Sequence, residues 1–186
     1  MNSIISICNK GLRYLGGTPI SSLEEESLGA QLCSQFYPEI RDEVLESHHW
    51  SFAARYVLLP RLPEAPPFGF AHAYQLPADC LRICSLEGGS AFEVVEGRKL
   101  YTDSAPAEAV VTVQVTDPMR FSAQFVEVVA RKLAAELAVP LMNSTKLEKT
   151  MMQKYFAALD RAAALDGAEG VRQVQEEDGW LQARSL

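Results

Sequence analysis

The chain has 186 residues, of which 48% are hydrophobic and 22% charged, and its net charge is −7. This composition excludes wholesale disorder, the length suits one domain with its own core, and no apolar run approaches the roughly 20 residues that cross a bilayer. An acidic protein gains no counterion-release energy from DNA, which argues against a conventional DNA-binding domain but permits a channel wall to which DNA must not stick.

Two helices are predicted in the first 50 residues. Apolar side chains recur at helical spacing over residues 3–15, and the glycine pair that follows provides a left-handed cap. A second helix is predicted over residues 23–47, because Ser22 and Glu25 have the spacing of a capping box. Pro38 should kink or break it. Its apolar face is predicted to comprise Leu28, Leu32, Phe36, Ile40 and Val44.

Short strands and turns are predicted over residues 51–117. Residues 52–62 are aromatic and β-branched and are expected to be extended. Further strands are predicted at residues 73–76, 80–86, 91–95, 99–102 and 109–115. Glycine-containing pairs at 88–89 and 96–97 are predicted to form hairpin turns. In the last strand valine alternates with polar residues, which is typical of a half-buried strand.

Helices return after the strands. Ser122 is predicted to cap a helix that Pro140 closes. Thr145 and Glu148 have the spacing of another capping box and predict a last helix. Its buried stripe is predicted to comprise Leu147, Met151, Tyr155, Ala158, Ala162 and Leu165.

This layout predicts an α+β fold. The main part is a helical bundle built from residues 1–50 and 118–167, with a small antiparallel β subdomain inserted at residues 51–117. Gly167 and the glycine at 170 are expected to end the last helix, which leaves residues 168–186 as a C-terminal tail.

The tail combines an acidic run at residues 176–178 with an isolated tryptophan. Such a tryptophan either folds back on the bundle or anchors a partner, and the sequence leaves both readings open. The candidate partner-binding residues are Trp180, Leu181 and Leu186.

The four cysteines are interpreted as small buried apolar residues in a reducing cytoplasm. The first ten residues carry neither a basic patch nor a cleavage site, so no signal peptide is expected. Cys80 and Cys84 lack the second ligand pair that a zinc site needs. Either thiol could be grouped with His72 and Asp79 as a nucleophile set, but no local motif supports such a set.

Other catalytic or ligand-binding patterns are absent from the sequence. Adjacent His48 and His49 point in different directions, so they are poorly placed for one metal and are predicted to form a helix-to-strand corner beside Trp50. No serine-hydrolase or phosphate-loop motif occurs. Basic residues do not gather along one element, which favours a solvated surface. We therefore predict no catalytic residue, no cofactor and no metal.

Several phrases occur together in a distinctive order. They are Cys8-Asn9-Lys10 with Leu15-Gly16, Arg41-Asp42, His49-Trp50-Ser51-Phe52-Ala53, Tyr74-Gln75-Leu76-Pro77-Ala78-Asp79-Cys80-Leu81-Arg82, Phe125-Val126-Glu127, and Lys132-Leu133-Ala134-Ala135-Glu136-Leu137-Ala138. In this order and spacing, over about residues 4–165, the chain resembles the tail tubular protein A family, the head-to-tail adaptors of short-tailed phages and prophages.

The resemblance implies a structural virion protein and not an enzyme. It implies a ring of identical subunits, usually twelve, between the portal protein and a tail nozzle of the tail tubular protein B type. Such a ring retains the genome and lets DNA pass through its lumen without specific binding. The expected location is the phage neck, assembled in the bacterial host cytoplasm, with no cofactor and no membrane.

Within such a subunit, five residues are predicted to form a structural junction. Trp50 and Phe52 should plug the corner where the bundle meets the sheet. Leu76 and Pro77 should give a rigid, extended approach to the next strand, and Asp79 should accept hydrogen bonds from backbone amides of that turn.

The subunits are expected to pack head to tail, with the bundles forming the wall of the ring. The β subdomain would face the nozzle, the C-terminal stretch would reach toward the portal, and part of the wall would be acidic. Two alternatives stay open: a small cysteine-dependent hydrolase, and a bacterial protein-interaction module unrelated to virions.

Overall fold

Helices occupy both ends of the described chain and strands occupy its middle, which confirms the predicted α+β class. The computed structural model describes residues 2–170, with side chains through residue 167, so the acidic run and the predicted Trp180, Leu181 and Leu186 lie outside the described residues. The helices are α1 (Ile4–Leu15), α2 (Leu28–Ser47), α3 (Ala123–Met142) and α4 (Thr145–Gly170). The strands are β1 (Ala54–Leu58), β2 (His72–Gln75), β3 (Cys80–Leu86), β4 (Phe92–Val95), β5 (Lys99–Thr102) and β6 (Glu108–Val113).

The strands form two antiparallel three-stranded sheets, with orders β1-β6-β3 and β2-β5-β4. The predicted hairpin at 96–97 is confirmed, since it joins β4 to β5 with positive φ at Glu96 and Gly97. The predicted hairpin at 88–89 is wrong. It joins β3 to β4, which belong to different sheets, and the left-handed conformation of both glycines lets the chain change direction there.

The other strand boundaries lie close to their predictions. β3 and β5 agree to the residue, while the extended segment predicted over 52–62 is a 3₁₀ turn, Ser51–Ala53, followed by the shorter β1. The valine alternation in and after β6 is confirmed for the buried Val111, Val113 and Val115. Thr112 on the opposite face is also fully buried, so β6 is more than half-buried.

One hydrophobic core joins the helices to both sheets. α3 lies at its centre, because its residues are buried on most sides and α1, α2 and α4 all pack against it. The core contains Leu133 of α3, Val111 of the first sheet and Leu100 of the second, each with no exposed surface. The bundle and the sheets therefore stabilise each other.

The first helix is confirmed, but the predicted start of the second is wrong. α2 begins at Leu28, where the Ser27 side chain caps it by accepting a hydrogen bond from the third residue of the helix. The capping box of Ser22 and Glu25 does not form, and the Glu25 carboxylate instead accepts from the backbone N–H of Ser21 at 2.9 Å. Residues 21–27 are not helical and contain one turn and several bends.

The predicted apolar face of α2 is partly wrong, and Pro38 does not break the helix. Leu28 is 54% exposed. Small side chains at Ala30 and Cys33 take part in the buried face because they permit close packing. Its buried residues are Ala30, Cys33, Tyr37, Ile40, Arg41, Val44 and Leu45. Pro38 and Ser34, whose carbonyl loses its helical donor, are both exposed, so water can satisfy that carbonyl.

The cap at Ser122 is confirmed, since its hydroxyl accepts from the backbone N–H of Phe125 at 3.1 Å. The predicted stop at Pro140 is wrong. α3 runs on to Met142 and ends at Asn143 in the left-handed conformation. Pro140 lies on the exposed side of the last turn, where solvent can satisfy the carbonyl that loses its donor.

The predicted N-terminal cap of α4 is also wrong. Ser144, not Thr145, caps the helix by accepting from the backbone N–H of Leu147 at 3.2 Å. The helix continues through Gly167 to Gly170, the last described residue. In the predicted stripe Met151, Tyr155 and Ala162 are buried, whereas Leu165 is 45% exposed.

Candidate functional site: the helix-sheet junction and two surface features

Trp50 lies at the centre of an aromatic cluster where α2 gives way to β1. Its side chain has no exposed surface, and its indole N–H donates to the carbonyl of Val44 at 2.8 Å. Its ring meets Phe125 of α3 edge-on, with centroids 5.1 Å apart, and Phe52 meets Phe125 at 5.0 Å. Phe121 completes the cluster. The structure thus places Trp50 and Phe52 together, packed between α2 and α3.

The neighbouring residues attach this corner to α4. Asp166 accepts two hydrogen bonds from Ser51, one from the backbone N–H at 2.9 Å and one from the hydroxyl at 2.8 Å. His48 Nε2 lies 3.7 Å from the same carboxylate and has no hydrogen-bond partner among the described residues. Burial lowers the pKa of His48, and Asp166 only partly opposes this effect.

Leu76, Pro77 and Asp79 lie in the loop between β2 and β3, away from the aromatic cluster in sequence. Leu76 is buried, and its N–H donates to the carbonyl of Arg98 at 2.9 Å. The predicted bonds from Asp79 to backbone amides are wrong. Its carboxylate instead pairs with both terminal nitrogens of Arg55 on β1, at 3.1 and 2.7 Å, and so ties the loop to the first sheet.

The structure pairs Cys84 with His49 and not with the predicted His72. The Cys84 sulfur lies 2.9 Å from His49 Nδ1 and 3.3 Å from the hydroxyl oxygen of Thr112. His49 is exposed and Cys84 half-buried, so the pair is at the surface. No local sequence pattern signals this contact, because 35 residues separate the two side chains.

The other cysteines differ in their environments. Cys8 and Cys33 have no exposed surface, which confirms their predicted burial. Cys80 is half-buried, and burial together with the charge of Asp79 raises the pKa of its thiol. The prediction that all four cysteines are buried is therefore correct for Cys8 and Cys33 but not for Cys80 and Cys84.

The outer face of the first sheet exposes large apolar side chains that sequence reasoning missed. Tyr56 is 84% exposed and Leu58 66% exposed, and both lie on β1, an edge strand of the sheet. Their cross-strand partners on β6 are Val110 and Glu108. These residues line a shallow groove of about 230 Å³. Phe68, in the loop before β2, is also 84% exposed.

Basic side chains gather at one place in the fold, although they do not gather along one element of the sequence. Lys10, Arg131, Lys154 and Arg161, from α1, α3 and α4, line a groove of about 450 Å³ around the single carboxylate of Glu127. Each helix contributes only one or two of them, so no single stretch of sequence shows the cluster.

No known family model matches the chain, and no curated protein is significantly similar to it in sequence. Within residues 2–170, no helix is long and apolar enough to span a bilayer. The same part of the chain holds no group of three or more His, Cys, Asp or Glu side chains placed to bind a metal ion.

Proposed function

We propose that this protein is a structural subunit of a phage particle, a head-to-tail adaptor whose copies form a ring between the portal protein and the tail nozzle. The ring retains the genome and then passes DNA. The observation that carries this proposal is the exposed apolar face at Tyr56 and Leu58, which supports association with another protein surface. The sequence resemblance supplies the kind of assembly.

An edge strand with exposed apolar side chains is a ready interaction surface. The outer backbone edge of β1 has no strand beside it among the described residues, and Tyr56 and Leu58 stand on one face of that strand. Contact between this face and a different surface of an identical subunit is heterologous, and a heterologous contact closes into a ring when its rotation is right. Twelve subunits are the number that the resemblance implies.

The junction supports the same role, because a ring subunit must hold its shape under load. Trp50 joins α2 to α3 through the aromatic cluster, and Ser51 joins the same corner to α4 through Asp166. Arg55 and Asp79 tie β1 to the following loop. The net charge of −7 suits a lumen through which DNA slides without binding.

The proposal is tested by electron microscopy of the purified chain mixed with the portal complex of the same phage. We expect rings on the portal for the wild type. The double variant Tyr56→Glu/Leu58→Glu should lose them, because two carboxylates would have to be buried at the contact. Met119→Glu is the matched control, since Met119 is 58% exposed and does not line the groove at Tyr56 and Leu58.

Two results would count against the proposal in different ways. A wild-type chain that never joins the portal contradicts the adaptor function. A double variant that forms rings as well as the wild type shows that the adaptor uses another face. Circular dichroism of both variants establishes that they are folded.

One observation favours the cysteine-dependent hydrolase as a second candidate. The 2.9 Å contact between Cys84 and His49 has the geometry in which an imidazole takes the proton of a nucleophilic thiol. The test is hydrolysis of a simple aryl ester by the wild type, Cys84→Ser and the control Cys80→Ser. Activity that only Cys84→Ser abolishes would favour this candidate over the adaptor.

A further inference from the structure

The groove between α1, α3 and α4 has an excess of positive charge in an otherwise acidic protein. Four cationic side chains, Lys10, Arg131, Lys154 and Arg161, surround one carboxylate, that of Glu127. The whole chain carries a net charge of −7, so this local excess runs against the composition. A groove of this kind attracts an anionic group.

The carboxylate inside the groove is already fully engaged. Glu127 lies 2.6 Å from both Lys10 and Arg131 and accepts a hydrogen bond from the hydroxyl of Tyr14. Burial alone would raise the pKa of Glu127, but Lys10, Tyr14 and Arg131 together lower it. Glu127 is therefore charged at neutral pH and is shared between two cations.

Lys154 and Arg161 on α4 have no such partner among the described residues. Neither side chain forms an ion pair with any residue in the described part of the chain, and both are exposed along the α4 side of the groove. They lie seven residues apart, so they occupy the same face of the helix two turns from each other. Between them small alanines line the groove, including Ala157 and Ala158.

We propose that this groove binds the acidic C-terminal segment of the same chain, with Glu176, Glu177 and Asp178 on Lys154 and Arg161, and Trp180 over the alanine-lined floor. The segment has the complementary charge and an aromatic side chain two residues beyond it. The groove supplies cations beside an apolar floor, which is the combination that such a segment requires.

The length of the chain permits this contact within one subunit. The structure describes α4 as far as Gly170, and Arg161 lies nine residues earlier, about 14 Å back along the helix. The six residues from 171 to 176 span up to about 20 Å when extended. The acidic run can therefore turn back and reach Arg161. This inference does not depend on the adaptor function, because it concerns a single subunit.

The test is zero-length carbodiimide cross-linking of the full-length protein, followed by peptide mass spectrometry. This reagent joins a lysine to a carboxylate only when the two are in contact. We expect an intramolecular link from Lys154 to one of the three acidic residues, and Lys10–Glu127, at 2.6 Å, serves as the internal positive control. Lys146 and Lys149, on the same helix but outside the groove, should link to the run at least fivefold less.

A pair of matched variants separates groove binding from general attraction. Arg161→Glu should reduce the Lys154 link at least fivefold, whereas Arg13→Glu, an equal charge change at an exposed site on α1, should leave it unchanged. The yield of the Lys154 cross-link should also decrease in 1 M salt, because the electrostatic screening length there is about 3 Å. Equal linking to all three α4 lysines, or a link found only in cross-linked dimers, would overturn the proposal.

Discussion

The hydroxyl of Ser51 donates a hydrogen bond to the carboxylate of Asp166 at 2.8 Å, across 115 residues of sequence. The backbone N–H of Ser51 donates to the other carboxylate oxygen at 2.9 Å, so one side chain of α4 satisfies the start of the 3₁₀ turn after Trp50. The Asp166 side chain is only 9% exposed. This contact holds α4 against the helix-sheet junction.

We expect Asp166→Ala to destabilise the fold by about 1–3 kcal/mol, because it removes both bonds and leaves the N–H of Ser51 without a partner. The free energy of unfolding in urea measures the effect. Asp160→Ala is the matched control, since Asp160 is an exposed residue of the same helix and should change stability by less than about 0.5 kcal/mol. Equal stability of the two variants would contradict the role given to Asp166.

His48 should make the protein less stable in mild acid. Burial lowers the pKa of His48, His49 and Arg82 act in the same direction, and Asp166 opposes them. The unfolded chain, in which the imidazole titrates near 6.5, therefore binds the proton more readily than the folded chain. Stability contributed by the neutral imidazole is present at higher pH and is lost as pH falls below about 6.5.

The measurement is the urea midpoint of the wild type and His48→Gln between pH 7.5 and 5.5. We expect the urea midpoint of His48→Gln to fall less between pH 7.5 and 5.5 than that of the wild type. His49→Gln, a change at an exposed neighbouring site, should retain most of the wild-type decrease. In Asp166→Ala the fall should become steeper, since the carboxylate that favours the protonated ring is gone. An unchanged slope in His48→Gln would assign the pH dependence to other groups.

The elements of this fold were largely readable from local sequence, but their partners were not. β3 and β5 matched to the residue because alternation and flanking turns are local properties. The division into two sheets depends on β6 pairing with β1 and β3, which no local pattern specifies. For this reason the hairpin predicted at Gly88-Gly89 is wrong, since β3 and β4 belong to different sheets.

The start of α2 shows how tertiary contacts select between two plausible caps. Ser22 and Ser27 both suit a cap, but the chain just before Ser22 is tied to α1. The side chain of Asn9 accepts from the backbone N–H of Ile20 at 2.7 Å and donates to its carbonyl at 2.8 Å. Ile20 is buried, so we infer that this anchored segment must turn before α2 can begin at Leu28.

The candidate site was predictable only in part for the same reason. The burial of Trp50 followed from its size and its place at the change of periodicity. The partners of Ser51, Cys84 and Asp79 did not follow, because each contact joins distant segments. The sequence therefore indicated which side chains mattered at the junction but not what they touch.

Gly11 should not tolerate alanine, although alanine is the better helix former. A Cβ at Gly11 would lie 3.1 Å from the backbone carbonyl oxygen of Ala130 and 3.2 Å from a methyl of Leu133, where α1 crosses α3. Moving the backbone of α3 away from the new methyl group is energetically costly. The overpacking should therefore destabilise the fold by about 1–3 kcal/mol, which should exceed the gain in helix propensity of about 1 kcal/mol.

Gly167→Ala is the matched control with the opposite sign. A Cβ at Gly167 meets nothing within 4 Å, so the propensity gain is unopposed and should raise stability by about 0.5–1 kcal/mol. Thermal unfolding of both variants measures the difference. A stabilised Gly11→Ala variant would show that α1 and α3 are less closely packed than the structure has them.

Cys84 should be the most reactive of the four thiols toward an alkylating reagent. Its sulfur is 2.9 Å from His49 Nδ1, which can accept the thiol proton, and the side chain is half-buried at the surface. Cys8 and Cys33 have no exposed surface and should react only on unfolding. Cys80 is half-buried, and its raised pKa keeps its thiol protonated and slow to react.

Timed labelling with iodoacetamide, read by peptide mass spectrometry, gives the rate at each cysteine. His49→Ala should slow alkylation of Cys84 by roughly tenfold or more, because the proton acceptor is lost. His72→Ala is the control and should leave the rate unchanged, since His72 lies on β2 in the other sheet. Equal rates at Cys80 and Cys84 in the wild type would mean that the imidazole contact does not activate the thiol in solution.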